Sequence, residues 1–229
     1  MCTVRNEPLA ISLLLFVSLF LADEYGWLTS LAIASGLIMF VVYSPTAKLG
    51  DTFWRLSREF TMLSNSGESA IIQRVMLEEE GVTTLWAMLG PLLFVPLLLI
   101  LRYAPVGLDI DYVIQTLFTT ALLSILLVSE TSTTPQGASL KLIKVSILLG
   151  ATAFISMKIT GYPSNPVSVT LCSSYLAVLL TADVRNIPYL ASNGVTNVVL
   201  GGQGMRDALI TVPIVASSLV WLLLHILPN

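Results

Sequence analysis

The sequence predicts an all-α protein: a polytopic bundle of transmembrane helices that forms one domain, residues 1–229. Of the 229 residues, 55% are hydrophobic and only 11% are charged, whereas a soluble domain usually carries about a quarter charged residues. The mean hydropathy is +0.85. Most of the apolar runs are long enough to cross a hydrocarbon core about 30 Å thick. A bilayer is therefore the expected solvent for this chain.

Seven apolar runs are predicted to span the membrane. They cover residues 8–22, 27–44, 84–103, 112–129, 141–159, 166–182 and 206–227. The first run is the shortest, so it is either a short first span or the apolar core of a signal peptide, in which case six spans remain. The turn sequence DEYG that leads directly into Trp27 favours a retained first helix.

Basic residues are sorted to one side of the seven predicted spans. Nine of the eleven fall on the side of the N-terminus: Arg5, Lys48, Arg55, Arg58, Arg74, Lys141, Lys144, Arg185 and Arg206. Only Arg102 and Lys158 fall on the other side. Because the basic side of a membrane protein stays in the cytoplasm, we expect a multi-pass protein of the cell membrane with a cytoplasmic N-terminus and an external C-terminus.

The longest segment outside the predicted spans, residues 45–83, is expected on the cytoplasmic side. Phe53, Leu56, Phe60 and Leu63 recur within it at helical spacing. This pattern predicts an amphipathic helix that lies on the inner membrane surface. Such a segment serves either as a docking or lid helix or as a regulatory surface that binds a partner.

The sequence predicts no cofactor and no metal ion. Cys2 and Cys172 lie too far apart in the predicted topology to form a disulfide, and the single histidine, His225, lies at the external end. Phosphate-binding and dinucleotide-binding motifs are absent from the sequence. Asp109 and Asp111 form an Asp-x-Asp that suits a divalent cation, but no second ligand group lies nearby, so we favour two solvated acids at a helix start. We expect membrane lipid around the chain, no nucleic-acid partner, and either a homo-oligomer or a membrane complex.

Two aspartates mark the candidate site. Asp183 follows the sixth apolar run directly, and Asp207 lies at the start of the seventh. Both are therefore expected at the same, cytoplasmic level on neighbouring helices. The sequence GGQG between them supplies Gly201, Gly202 and Gly204, which permit positive φ and a close backbone approach. Exposed N–H groups at such a helix start also suit an anion.

The aspartate pair has two interpretations. In the structural one, Asp207 complements the dipole of its helix and Arg206 faces lipid phosphates or pairs with Asp183. In the functional one, the two carboxylates face each other across a small polar cavity. Ionisable groups at membrane depth are functional candidates by default.

A line of polar residues extends from the aspartates along the predicted spans. Thr211 and Ser218 fall near Asp207 on one side of the seventh span at 100° per residue. Tyr175 lies on the side of the sixth span that also carries Asp183. These hydroxyls either join helices by hydrogen bonds or line a polar path through the bundle.

The C-terminal third carries a motif pair: Ala182-Asp183 at the end of one helix, and Gly201-Gly202-Gln203-Gly204-Met205-Arg206-Asp207 at the start of the next. Through this pair, residues 161–220 resemble an uncharacterised prokaryotic family of polytopic membrane proteins with Ala-Asp followed by Gly-Gly-x-Gly-x-x-Asp. The resemblance implies a membrane helix bundle and brings no known activity.

Two characterised families are similar in fewer residues. Intramembrane aspartyl proteases pair an Asp near a helix end with Gly-x-Gly-Asp, whereas here Asp207 stands three residues after Gly204. Trimeric intracellular cation channels carry Gly-Gly-Gly-x-x-Arg-Asp, which is similar to GGQGMRD. That channel family repeats a three-helix unit, and the first copy is missing from this sequence.

Three functions follow from these observations. Transport of a small ion or solute is the main expectation, with Asp183 and Asp207 collecting cations or relaying protons at the cytoplasmic mouth. The first alternative is an intramembrane aspartyl protease, in which two close carboxylates share a proton, one activates water and the other protonates the leaving group. The second alternative is a non-catalytic subunit or scaffold of a membrane complex.

Overall fold

The computed structural model describes residues 7–44, 46–48, 84–134, 137–193 and 197–227. This part of the chain is mostly helical. Five of its helical stretches are long and apolar enough to cross a membrane, which fits the predicted class of membrane helix bundle, whereas the sequence predicts seven spans. Most of the segment 45–83, including the expected amphipathic helix, lies outside the described residues.

The first helix, α1 (Glu7–Tyr43), is broken at Gly26, where φ is 70° and ψ is 162°. Its two halves correspond to the first two apolar runs of the sequence. Leu13 and Leu21 before the break are buried in the same core cluster as Val41 after it. The short first run is therefore packed into the core of the bundle.

Six further helices follow α1. They are α2 (Leu89–Tyr103), α3 (Ile110–Glu130), α4 (Leu142–Thr160), α5 (Pro166–Val178), α6 (Ile187–Ser192) and α7 (Ala208–Ile226). Helix α5 is central, because it contacts α2, α3, α4 and α7. The α4–α7 contact is close at Gly150, where an added Cβ would lie 2.8 Å from the Ala216 carbonyl oxygen.

The helix bundle has two ends, named the aspartate end, where Asp183 and Asp207 lie, and the far end. Contacts between helix termini show which termini lie at each end. At the aspartate end, Lys144 at the start of α4 pairs with Glu130 at the end of α3, with Nζ 2.7 Å from Oε2. At the far end, Arg102 of α2 lies 3.3 Å from Glu24 of α1, and the Tyr25 hydroxyl donates to the backbone carbonyl of Leu101. Successive long helices from α2 onward therefore run alternately away from and toward the aspartate end.

A small sheet, which the all-α prediction did not include, lies at the aspartate end. Strand β2 (Thr84–Met88) pairs antiparallel with β1 (Thr46–Lys48) and parallel with β5 (Asn197–Leu200). Because β2 has a partner on each side, its backbone groups are satisfied without helical bonds. Helix α2 consequently begins at Leu89 rather than at the start of the predicted span 84–103.

Strand β5 lies in the connection between the last two spans. Val198, Val199 and Leu200 are all buried, and β-branched residues such as the two valines favour strands. Val198 and Leu200 pack with Ile187 and Leu190 of α6 in a second, smaller core. The link to α7 is thus a packed strand and a short helix.

A proline in α2 shapes the packing of α5. Pro96 lacks an N–H, so the Leu92 carbonyl has no intrahelical donor one turn earlier. The Tyr175 hydroxyl donates to this Leu92 oxygen at 2.6 Å. One hydrogen bond therefore satisfies a buried acceptor and fixes α5 against α2.

The outside of the bundle is apolar. Large side chains such as Ile125 of α3 and Ile143 and Ile159 of α4 are 71%, 76% and 80% exposed. A soluble monomer rarely exposes extended apolar surface of this kind. The surface fits a lipid environment, in agreement with a multi-pass membrane protein.

Between α3 and α4 the chain forms a β-hairpin rather than the plain polar turn expected. Strands β3 (Ser132–Thr134) and β4 (Gly137–Ser139) are antiparallel. The hydroxyl oxygens of Ser132 and Ser139 lie 2.7 Å apart across the pair. The hairpin lies at the aspartate end and contacts the segment that carries Asp183.

Candidate functional site: an aspartate-lined cavity

Asp183 and Asp207 line one cavity at the aspartate end. Its volume is about 30 Å³, which is enough for one or two water molecules. The other lining residues are Ala138, Leu140, Leu142, Ala182, Gln203 and Ala208. The two acids are thus brought to one space, which is what the functional interpretation requires.

Asp183 lies in a widened turn that follows α5. Residues Leu179–Asp183 form a π-helical turn, a feature that is frequent at functional sites. The Asn186 side-chain amide donates to the carbonyls of Thr181 and Ala182, at 3.1 and 2.7 Å. These bonds stabilise the irregular backbone next to the aspartate.

The Asp183 carboxylate is left without compensation. Its Oδ2 is buried and has no hydrogen-bond partner in the structure. A buried charged oxygen without a donor is costly. A water in the adjacent cavity, a bound proton or a cation would each satisfy this oxygen.

Asp207, in contrast, is fully engaged. It is 2% exposed and is the N-cap of α7, where Oδ1 accepts from the Leu209 N–H at 2.9 Å and Oδ2 accepts from the Gln203 N–H at 3.3 Å. The residue precedes α7 and lies outside the membrane-spanning helix. Burial raises its pKa to about 6, although the two N–H donors act in the opposite direction.

The glycines shape the loop that Asp207 holds. Gly201 and Gly204 have φ of 71° and 61°, and Gly202 is buried. An added Cβ on Gly201 would lie 2.8 Å from Pro91 Cβ, whereas one on Gly204 would meet nothing within 4 Å. The loop therefore needs Gly201 both for its backbone conformation and for its contact with the start of α2.

The β3–β4 hairpin closes one side of the cavity. Ala138 and the following Leu140 line it. A run of Ser, Thr and Gly near a proline predicts only a turn, so the sequence does not indicate this hairpin. The length of the connection between the two predicted helices is the feature of the sequence that leaves room for it.

The three residues predicted to line a polar path lie outside the lining of the aspartate cavity. Tyr175 is 5% exposed, and its hydroxyl is occupied by Leu92 of α2. The Thr211 Oγ1 is buried without a hydrogen-bond partner, and Ser218 is half-buried. The cavity lining contains none of these three residues.

A salt bridge between Asp183 and Arg206 was one structural possibility. Arg206 is exposed. Ion pairs that join two described side chains are Arg102–Glu24 and Lys144–Glu130. Within the described part of the chain, Asp183 is therefore not neutralised by Arg206.

The Asp-x-Asp at the far end behaves as a helix start. The Asp109 side chain accepts from the Asp111 N–H at 3.3 Å and caps α3. Among the described residues, no group of three or more His, Cys, Asp or Glu could hold a metal ion. His225 is exposed, and its Nδ1 lies 2.8 Å from the Trp221 carbonyl oxygen.

Comparison with known proteins finds no matching family model, no similar curated protein and no similar solved structure. The resemblance of residues 161–220 to the uncharacterised prokaryotic family therefore stays a prediction. The function has to be argued from the cavity itself.

Proposed function

We propose that this protein transports a small cation across the cell membrane and that Asp183 is the residue that binds it. The observation that carries the proposal is the buried, unpartnered Oδ2 of Asp183 in a cavity shared with Asp207. Ionisable groups at membrane depth commonly mark ion pathways and proton relays.

The charge of the cavity favours a cation or a proton. Its lining includes two carboxylic acids and no Lys, Arg or His. Asp207 holds the loop through two backbone N–H groups, so it supplies negative charge from a fixed position. Asp183 is then the side chain whose oxygen is available to the ion.

The alternation of the long helices from α2 onward and the break of α1 at Gly26 support seven crossings of the membrane. In this topology the aspartate end carries most of the basic residues, and the N-terminus lies in the cytoplasm. The cavity would then be the cytoplasmic mouth of the pathway.

The test is ion flux in proteoliposomes. Purified protein is reconstituted, and uptake of ²²Na⁺, ⁸⁶Rb⁺ and protons, the last with an internal pH-sensitive dye, is compared for wild type and Asp183→Asn. Asp111→Asn, which removes an exposed carboxylate at the far end, is the matched control. We expect flux of one of these ions in wild type and in Asp111→Asn, and loss of that flux in Asp183→Asn. Equal flux in the Asp183 variant, or no flux in wild type, would overturn the proposal.

An intramembrane aspartyl protease is the second candidate, because both carboxylates line one space. The cavity has room for a hydrolytic water but not for a peptide, so the β3–β4 hairpin would have to move to admit a substrate. Under this alternative, Asp183→Asn and Asp207→Asn each abolish cleavage of membrane peptides. Cleavage by wild type without ion flux would favour this reading.

A scaffold role is the remaining alternative. The capping of α7 by Asp207 supports it. A scaffold needs Asp207 for stability and has no use for an unpartnered carboxylate at residue 183. Loss of flux in Asp183→Asn with normal thermal stability would exclude it.

A further inference from the structure

One face of α3 is unusually polar for a buried membrane helix. Its buried residues are Tyr112, Thr116, Thr119, Thr120, Leu123 and Leu127. These residues recur at helical spacing and so share one side. Helix α3 packs mainly on α5, and it also contacts the π-helical turn that carries Asp183. The polar face thus belongs to a seam that extends from the far end toward Asp183.

Two hydroxyls in this seam have no hydrogen bond of good geometry. A threonine in a membrane helix usually bonds its own backbone one turn earlier, and Thr120 does so with the Thr116 carbonyl at 2.7 Å. The Oγ1 atoms of Thr116 and Thr119 are buried without a hydrogen bond of good geometry, although the Tyr112 hydroxyl lies close to Thr116, and these residues are 6% and 0% exposed. Burying an unsatisfied hydroxyl is costly, so both oxygens are candidates for contact with a passing cation.

The far end of the seam opens into a larger cavity of about 290 Å³. Tyr103, Asp109, Tyr112 and Ser164 line it together with the loop 106–108, and the lining includes no Lys or Arg. The Tyr103 hydroxyl oxygen is buried and lies close to the Ser168 side chain. This cavity offers oxygen atoms and one carboxylate to a cation.

Polar groups of the seam also come from α5. The Tyr112 hydroxyl lies 3.0 Å from Ser168 Oγ and so joins α3 to the start of α5. Ser168 lies in the first turn of α5, and Asp183 lies in the π-helical turn that follows this helix. Leu123 and Leu127 are fully buried and follow the threonines toward the aspartate end. Apolar side chains that close an ion pathway gate it by excluding water.

We propose that the α3–α5 seam is the passage of a monovalent cation from the far-end cavity to Asp183, a proposal that rests on the proposed transport function. The hydroxyls of Thr116 and Thr119 replace part of the hydration shell of the cation. A stretch of neutral hydroxyls suits a monovalent ion better than a divalent one, whose larger charge needs several carboxylate ligands. Leu123 and Leu127 form the closed gate between the hydroxyls and the aspartate cavity.

The first test removes the hydroxyls at constant shape. Uptake of ²²Na⁺ into proteoliposomes is measured for Thr116→Val/Thr119→Val and for the control Thr120→Val, whose hydroxyl is satisfied by the backbone. We expect the double variant to lose about tenfold in rate, equivalent to about 1.4 kcal/mol, and the control to stay within about twofold of wild type. A double variant as fast as the control would overturn the passage.

Two further variants separate this passage from its alternatives. Leu127→Ser hydrates the constriction, and we expect it to raise the rate of uptake. Thr211→Val removes the unpartnered hydroxyl of α7 and is expected to leave uptake unchanged. Slower uptake in Thr211→Val together with normal uptake in the α3 double variant would place the path on α7 and overturn our inference.

The outcomes distinguish this inference from the proposed function. If Asp183→Asn abolishes flux but the α3 double variant does not reduce it, the proposed transport function is supported and the proposed passage along the seam is wrong. If the α3 variants slow flux but Asp183→Asn does not, the passage is supported and the proposed role of Asp183 is wrong. If wild type carries no ion, both fail.

Water access gives a readout that does not depend on flux. In a Cys2→Ser/Cys172→Ser background, Thr116→Cys is treated with a small, charged methanethiosulfonate reagent. The matched control is Phe118→Cys, because Phe118 is 51% exposed on the outside of the same helix and faces lipid. We expect modification of the cysteine at 116 and little at 118. A cysteine at 116 that is as inert as the one at 118 would contradict a hydrated passage.

Discussion

Asp207 uses both carboxylate oxygens to hold backbone N–H groups, whereas Asp183, in the same cavity, has a buried Oδ2 that accepts no hydrogen bond. Two acids that line one cavity therefore have different surroundings. Asp207 stabilises the loop and the start of α7, and Asp183, in the π-helical turn after α5, has a buried oxygen without a hydrogen-bond partner. This difference gives each substitution a distinct expected result.

The first prediction concerns stability. Asp207→Asn keeps a cap for Leu209 through its amide oxygen, but the amide nitrogen cannot accept from Gln203. At pH 4, where Asp207 is protonated in the folded protein, we expect a loss of about 0.5–1.5 kcal/mol in the free energy of unfolding. Asp183→Asn replaces a carboxyl group whose buried oxygen has no hydrogen-bond partner and is expected to leave stability unchanged or higher. Thermal unfolding in detergent measures both, and an equal loss in the two variants would contradict this difference between the two aspartates.

The second prediction concerns the hydrogen bond between α5 and α2. Tyr175→Phe leaves the Leu92 carbonyl without a donor, because Pro96 supplies no N–H. We expect a cost of about 1–3 kcal/mol for this buried acceptor. Pro96→Ala supplies a backbone donor in its place, so the double variant is expected to recover most of the loss. A double variant that shows the simple sum of the two single effects would show that Tyr175 acts by packing alone.

The third prediction separates backbone conformation from close contact in the glycine loop. Gly201→Ala and Gly204→Ala both place an alanine at positive φ, which costs roughly 1–2 kcal/mol. Only Gly201→Ala also forces a Cβ against Pro91. We therefore expect the Gly201 variant to unfold at a clearly lower temperature than the Gly204 variant. Equal unfolding temperatures would mean that the contact with α2 adjusts freely.

The fourth prediction is a pH dependence. Burial raises the pKa of Asp207 to about 6 from an ordinary value of 3.8, so the folded protein binds this proton more tightly than the unfolded chain does. The stabilisation is complete below pH 3.8 and is lost as the pH rises through about 6. Between pH 4 and 7.5 the unfolding temperature is therefore expected to fall less steeply with rising pH in Asp207→Asn than in wild type. Parallel curves of unfolding temperature against pH for the two proteins would contradict a raised pKa of Asp207.

The sequence was sufficient for the class of apolar membrane helices, though not for the number of spans, and for the proximity of the two aspartates. Composition and run length predict membrane helices because a chain with so few charges cannot cover a core in water. The end of one run at Asp183 and the start of the next at Asp207 place the acids together, since neighbouring helices meet at their connection. The cavity that both acids line is in accord with that reasoning.

The parts that could not be predicted depend on contacts between distant segments. The strand Thr84–Met88 is apolar and continuous with α2, and only its pairing with residues 197–200 makes it a strand. The occupation of Tyr175 depends on Pro96 of another helix. The unsatisfied hydroxyls of Thr116 and Thr119 cannot be told from the bonded hydroxyl of Thr120 by residue type.

The most direct test of the central claim is chemical labelling of Asp183. Dicyclohexylcarbodiimide reacts with protonated carboxylic acids in apolar surroundings, and mass spectrometry of the labelled protein identifies the residue. We expect label on Asp183 and not on Asp207, with protection of Asp183 when the transported cation is present in excess. Label on Asp207 instead, or label on Asp183 that no cation reduces, would contradict an available ion-binding carboxylate at residue 183.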